Sequence, residues 1–142
     1  MKYVILVSHG TFAPGLHNAV SMLAGSGRED FRAAGLEDGM GSDVFAERVR
    51  DCLKGIGPED EIFLFGDLVG GSPLTTAANV IAQEGLMPVT TMIGGMNLPM
   101  VLSAVLYKDS TDPAELTETL LEESREQIKR FEIESDDSED EI

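Results

Sequence analysis

Three short segments of this 142-residue chain hold the side chains best suited to chemistry: Ser8-His9-Gly10-Thr11, Gly66-Asp67-Leu68-Val69-Gly70-Gly71-Ser72 and Gly94-Gly95-Met96-Asn97. Each follows an apolar run, as a loop leaving a buried strand does. If the strands before His9 and Asp67 are neighbours, the carboxylate reaches one imidazole nitrogen, holds it as N–H and leaves the other as a lone pair. Such a histidine is a nucleophile, and the carboxylate favours the cation formed when it attacks. Gly70 and Gly71 let the backbone curl so that N–H groups face an anion, while Ser72 adds a hydroxyl at the positive end of a helix. A phosphoryl group suits this set, because its transfer asks chiefly for positioning and for stabilised charge on the equatorial oxygens. Gly10, Thr11, Met96 and Asn97 are placed around the same cleft.

Taken singly, each feature has a plainer reading. A strand-end histidine often serves only as a satisfied polar residue, and an acid before Gly-Gly-Ser-Pro can belong to helix capping alone. The two turns together favour chemistry. His17 lies off the stripe formed by Leu16, Ala19, Val20 and Leu23, so it is read as a solvated helix position. Cys52 falls on an apolar helix stripe and is read as core, where a free thiol behaves as a small hydrophobe. Met92, Met96 and Met100 are read first as packing residues, with Met96 the one that also faces the cleft.

Positioning these loops requires strands alternating with helices. Tyr3 to Ser8 is a continuous apolar run that suits a strand buried on both faces. The stripe from Leu16 to Leu23 predicts a helix ending at Gly25, and Phe31 to Leu36 predicts a short strand near an edge. Ser42-Asp43 are expected to cap a helix carrying Phe45, Val49, Cys52, Leu53 and Ile56 inward and ending at Gly57-Pro58. Ile62 to Phe65 repeats the buried-strand pattern. Ser72 as N-cap with Pro73 at the first helical position opens a further helix, running to Gly85. Pro88 to Ile93 predicts another strand, and Asn97 caps a helix with Leu98, Val101, Leu102 and Val105 inward. A last helix is expected from Pro113 to Phe131, with Phe131 and Ile133 adding a strand. The fold class is therefore α/β: a doubly wound, mostly parallel open sheet with helices on both faces.

The chain carries 26 acidic and 10 basic residues, a formal net charge of −16. That balance argues against nucleic acid and anionic membrane surfaces as partners. The charge is uneven: residues 109 to 142 hold 14 acids against 3 bases, a net of −11. Residues 1–133 are read as one domain and 134–142 as an acidic, disordered tail that cannot bury apolar area. One cysteine forbids an internal disulfide, and no run suits a membrane span or a signal peptide, so a cytoplasmic location is expected.

With these residues in view, the chain resembles the enzyme IIA subunit of the mannose-fructose-sorbose family of the bacterial phosphoenolpyruvate-dependent sugar phosphotransferase system. The resemblance spans about residues 1 to 131 and rests on Ser8-His9-Gly10, on Phe65-Gly66-Asp67 with Gly70-Gly71-Ser72-Pro73, and on Asn97-Leu98-Pro99-Met100. It implies that His9 accepts a phosphoryl group from the phosphocarrier HPr and passes it to a IIB protein, with no metal and no cofactor. It also implies that Asp67 hydrogen-bonds the histidine and that Ser72 faces the phosphate. A homodimer is implied too, with a C-terminal segment exchanged between subunits, which places a swapped strand around Ile128 to Ile133. Many relatives carry aromatic residues after the His-Gly pair and before Gly-Gly-Ser-Pro; this chain has Phe12 at the first place and Leu68-Val69 at the second. Lacking the linker that joins some relatives to a IIB domain, it is expected to act as a free-standing IIA subunit.

Other readings stay open at this level. A related IIA-like subunit feeds dihydroxyacetone kinase, and a phosphorylatable domain can also serve a regulator. Small tetrapyrrole metal chelatases share a strand-end His-Gly but want a second cleft histidine, for which His17 is the only source. A flavin or nucleotide module is disfavoured by the lack of a dinucleotide fingerprint and of a P-loop lysine.

Overall fold

In the computed structural model, which describes residues 1–133, the apolar run after Lys2 lies at the centre of a four-stranded sheet. β1 (Lys2–His9) pairs in parallel with β2 (Phe31–Leu36) on one side and with β3 (Glu61–Gly66) on the other. β4 (Thr90–Ile93) pairs with β3, also in parallel, so the order is β2-β1-β3-β4. Position in the sheet accounts for composition. The central strands bury Val4 to Val7 and Ile62 to Phe65 against helices on both faces, whereas edge β4 keeps Thr90 and Thr91 half-buried and exposes Met92. Met92 is thus a surface residue, not a packing one, while Met96 and Met100 are buried as expected.

Five helices cover the sheet: α1 (Phe12–Ala24), α2 (Ser42–Cys52), α3 (Ser72–Gln83), α4 (Leu98–Tyr107) and α5 (Pro113–Glu126). Side chains alternate across β1 with the two-residue period of a strand. Val4 and Leu6 join Phe63 and Phe65 under α1, α4 and α5, with Leu16, Val20, Val101, Val105, Leu116 and Leu120 completing that layer. Ile5 and Val7 join Ile62 and Leu64 under α2 and α3, with Phe45, Val49, Leu74, Val80 and Ile81. The handedness of parallel crossovers dictates this division. β1 to β2 runs one way along the sheet and β3 to β4 the other, so right-handed connections must place α1 and α3 on opposite faces.

Several element ends differ from the sequence reading. α2 stops at Cys52 with Leu53 as its C-cap, short of Gly57-Pro58; Leu53 is nevertheless buried, and Ile56 packs on the same layer from the turn. Gly41 and Gly71 take the N-cap places expected of Ser42 and Ser72, because both glycines adopt the extended conformation from which a helix starts. Met87–Val89 forms a 3-10 turn around Pro88, which delays the strand to Thr90. α5 ends at Glu126, five residues before Phe131, and residues 127–133 form no strand. The inward spacing of Leu116, Leu120 and Ser124 gives out there, and Ile128, Phe131 and Ile133 are all exposed. The acidic stretch 134–142 lies outside the described residues.

Beneath the sheet, at the end away from the strand-end loops, Lys108 is fully buried. Its ammonium donates to Asp30 at 2.6 Å and Asp109 at 2.9 Å, and Arg28 pairs with Asp30 at 3.0 Å. Burial opposes the charge on Asp30, but the hydrogen bonds from Arg28 and Lys108 prevail and hold its carboxyl below the ordinary range. No described helix is long and apolar enough to cross a membrane.

Candidate functional site

The chain leaves β1 toward β2 and leaves β3 toward β4, so the carboxyl ends of β1 and β3 border the crevice at which the winding reverses. Ligands of open parallel sheets gather at such a point. His9 and Asp67 both stand there. The His9 backbone N–H donates to Asp67 Oδ2 at 2.9 Å, and the imidazole Nδ1–H donates to the same oxygen at 2.8 Å. Asp67 Oδ1 accepts from the Leu68 N–H at 2.9 Å. The carboxylate is therefore held by three donors. Burial opposes its charge, but the bonds from the His9 backbone, the His9 ring and Leu68 outweigh it, and the Asp67 pKa lies below the usual carboxylate value. An ionised carboxylate can only accept, so neutral His9 carries its proton on Nδ1 and presents the Nε2 lone pair. The His9 side chain is 49% exposed while that of Asp67 is 14% exposed, so the imidazole is open to solvent and the carboxylate that orients it is largely covered.

Local sequence explains how His9 is held. Gly10 has φ +54°, a left-handed turn that other residues resist, and its N–H donates to Leu36 O at 2.7 Å. Ser8 is buried; its hydroxyl donates to His9 O at 2.9 Å and accepts from Ala13 N–H at 2.6 Å, satisfying a free donor of the first turn of α1. Thr11 holds the N-cap position of α1 but its side chain makes no capping bond, because Ser8 has taken that role. Ser8 was not singled out from sequence as a positioning group, although a serine ending a wholly apolar strand is the signal for one.

Of the residues expected to cradle a phosphate, Gly71 comes closest to the ring: a Cβ there would stand 2.9 Å from His9 Cε1, so the imidazole edge rests against bare backbone. Gly70 has open space around it, and Ser72 is exposed in the first turn of α3, one residue inside the helix with its hydroxyl out of capping position. α1, α3 and α4 all begin at this end of the sheet, and none has an acid in its first turn. Three positive helix ends thus converge beside His9 in an acidic protein. Asn97 caps α4 as expected, its Oδ1 accepting from Met100 N–H at 3.0 Å. Asn97 also lines, with Thr11, Phe12 and Met96, an open and largely apolar groove of about 620 Å³ that starts two residues from His9.

Two other expectations change. His17 is not a solvated position: its Nε2–H donates to Phe31 O at 2.9 Å and its ring stacks on Phe31 with centroids 4.2 Å apart. Phe31 pairs with Val4 and Leu36 with His9, so the two histidines sit about 16 Å apart along the sheet at 3.3 Å per residue. The second cleft histidine wanted by a chelatase is therefore absent from this cleft. Cys52 is partly buried against the α2–α3 layer, with Sγ 3.7 Å from Ala33 O, and burial pushes its thiol pKa up.

The fold and site together define a parallel α/β protein with one strand-end histidine oriented by one aspartate. The chain belongs to the family described as PTS system fructose IIA component (EIIA-man), which matches residues 3–141, and is thus a IIA component of the sugar phosphotransferase system. A PTS system fructose-specific EIIA component of Bacillus subtilis (strain 168) is 30% identical over 109 residues, covering 77% of this chain and 72% of that protein. The fold is that of the phosphotransferase system component EIIA from Streptococcus agalactiae, at TM-score 0.79 and 24% identity, covering 92% of this chain and 98% of that one. It is also that of the mannose/sorbose-specific IIA subunit from Enterococcus faecalis, at TM-score 0.78 and 22% identity, with 95% and 98% covered.

Proposed function

We propose that this chain relays a phosphoryl group on His9 Nε2, taking it from phospho-HPr and passing it to a IIB protein during sugar uptake in the cytoplasm. The observation that carries the reading is the pair of bonds from His9 to Asp67 Oδ2, which leave Nε2 as the free lone pair. The Nε2 pair forms the bond to phosphorus as the bond between phosphorus and the donor atom breaks, and the leaving pair stays with the donor. The imidazole then carries positive charge, which Asp67 balances at 2.8 Å. The Ser72 N–H and hydroxyl, with the first turn of α3, serve the phosphoryl oxygens, while the Gly71 N–H points to Leu68 O at 3.5 Å. Transfer to the acceptor is the same step reversed, so no net charge or proton is lost from the site.

A homodimer fits the same reading. β4 is an open sheet edge, and Phe131 and Ile133, each 89% exposed, form an apolar pair at alternate positions that suits a strand added to the β4 edge of a second copy. Intact-mass analysis after incubation with phosphoenolpyruvate, enzyme I and HPr tests the relay. The expected result is one acid-labile phosphoryl group, absent without HPr and absent from His9→Ala; full labelling of His9→Ala would overturn it.

A further inference from the structure

Each edge strand sends a glycine to the loop that follows its central neighbour. On β2, a Cβ at Gly35 would stand 2.2 Å from the carbonyl oxygen of Gly10 and 3.4 Å from Pro14 Cδ. Gly10 is held by its left-handed φ and by its N–H bond to Leu36 O, and its own carbonyl oxygen stands against the bare Gly35 Cα. After β4, a Cβ at Gly94 would meet Val69 at 2.5 Å from Cγ2 and 3.1 Å from both Cα and N. Val69 follows Leu68, whose N–H holds Asp67 Oδ1, and Met96 N–H donates to Gly66 O at 3.0 Å just before the aspartate. Glycine inside a strand, as Gly35 is, marks close approach of another backbone, here that of the His9 loop, and Gly94 just past β4 meets the loop that follows Asp67 in the same way.

Resting on the relay reading above, we propose that Gly35 and Gly94 are positioning residues that press the His9 and Asp67 loops together from the two edges of the sheet. Neither has a side chain that could touch the phosphoryl group, so both act through the geometry of the 2.8 Å His9–Asp67 bond. Restoring an ordinary contact at Gly35 moves the Gly10 peptide by about 1 Å, and a displacement of that size costs about 10²-fold in a reaction that depends on alignment.

The test uses Gly35→Ala and Gly94→Ala in the full chain, with the two histidines as paired reporters. His17 donates to Phe31 O on β2 itself, so its ring-nitrogen shifts in long-range ¹H–¹⁵N spectra report the integrity of the edge strand; those of His9 report its tautomer. The expected result has His17 unchanged, neutral His9 shifted away from its Nδ1–H form, and phosphoryl uptake from phospho-HPr slowed about 10²-fold for Gly35→Ala and less for Gly94→Ala. Native His9 shifts in both folded variants overturn the proposal. So does loss of His17 signals, or of the fold, in both variants, since the glycines then serve the sheet as a whole. If one variant fails to fold, the His9 shifts of the other decide. The tautomer is read without any donor, so a wild-type protein that takes up no phosphoryl group refutes the relay while leaving the positioning claim to the spectra.

Discussion

Replacing Asp67 by Asn tests the link between geometry and chemistry most directly. The carboxylate accepts from His9 N–H and Nδ1–H on Oδ2 and from Leu68 N–H on Oδ1, so both oxygens are in use. An amide has one oxygen. If it faces His9, the NH₂ group meets the Leu68 N–H, donor against donor, and the imidazolium loses its counter-charge. If it faces Leu68, the NH₂ group meets His9 and Nδ1 must accept, which moves the imidazole proton to Nε2 and removes the nucleophile. The first arrangement keeps the chemistry and gives the lower bound. Hydrogen bonds to charged groups contribute about 1.5 to 3 kcal/mol, which at 1.36 kcal/mol per decade is roughly a 10- to 150-fold slower transfer. Rapid-quench measurement of phosphoryl uptake from phospho-HPr, with thermal melting to verify the fold, checks the number. A folded Asp67→Asn protein within about twofold of the wild-type rate would refute the role given to this carboxylate.

Lys108→Met should destabilise by about 2 to 3 kcal/mol in urea unfolding, less than the 3 to 5 of a fully broken buried pair because Asp30 keeps Arg28; adding Asp30→Asn should recover part of the loss. Asn97→Ala removes the cap on α4 and should cost about 1 kcal/mol, seen as a lower Tm with phosphoryl uptake retained. Asp30 and Asp67 both have carboxyl pKa values below their ordinary one, so the unfolded chain takes up protons first on acidification. Their contribution is complete above about pH 4 and is lost as pH falls through the folded values, so the urea midpoint should drop over that window; a midpoint that rises on acidification would contradict the pairing of these groups.

Much of this site is legible without coordinates because it follows from strand order. Two doubly buried runs, each ending in a polar residue, must lie centrally in a parallel sheet, and their first loops then meet at the reversal of winding. The meeting of His9 with Asp67 is expected once those two strands are neighbours, as they are in the sheet. What stays illegible depends on single backbone approaches. Ser8 reads as the end of a strand until its hydroxyl is seen between His9 O and Ala13 N–H. His17 looks solvated by helical spacing, yet the strand beside α1 offers it a carbonyl and an aromatic face. Ser72 and Ser42 satisfy the rules for N-caps, but the glycine before each adopts the cap conformation first. The end of α5 fails for another reason: propensity continues to Phe131, whereas inward-facing positions stop at Ser124.

The overall charge of −16 is unfavourable for binding an anion, and the helix starts beside His9 offset it locally. Acids occupy the first turns of α5, at Glu115, and of α2, at Asp43; α5 begins at the far end of the sheet, whereas α2 follows the edge strand β2. The three helices that begin beside His9, α1, α3 and α4, carry none there, so their positive ends are not offset by a carboxylate of their own. The acid that does stand there, Asp67, is engaged by the imidazole and by Leu68, so its charge is directed at the ring. The net acidic charge favours partners that present a basic face, and if the relay holds, screening such contacts with salt should slow uptake from phospho-HPr without altering the His9–Asp67 bond.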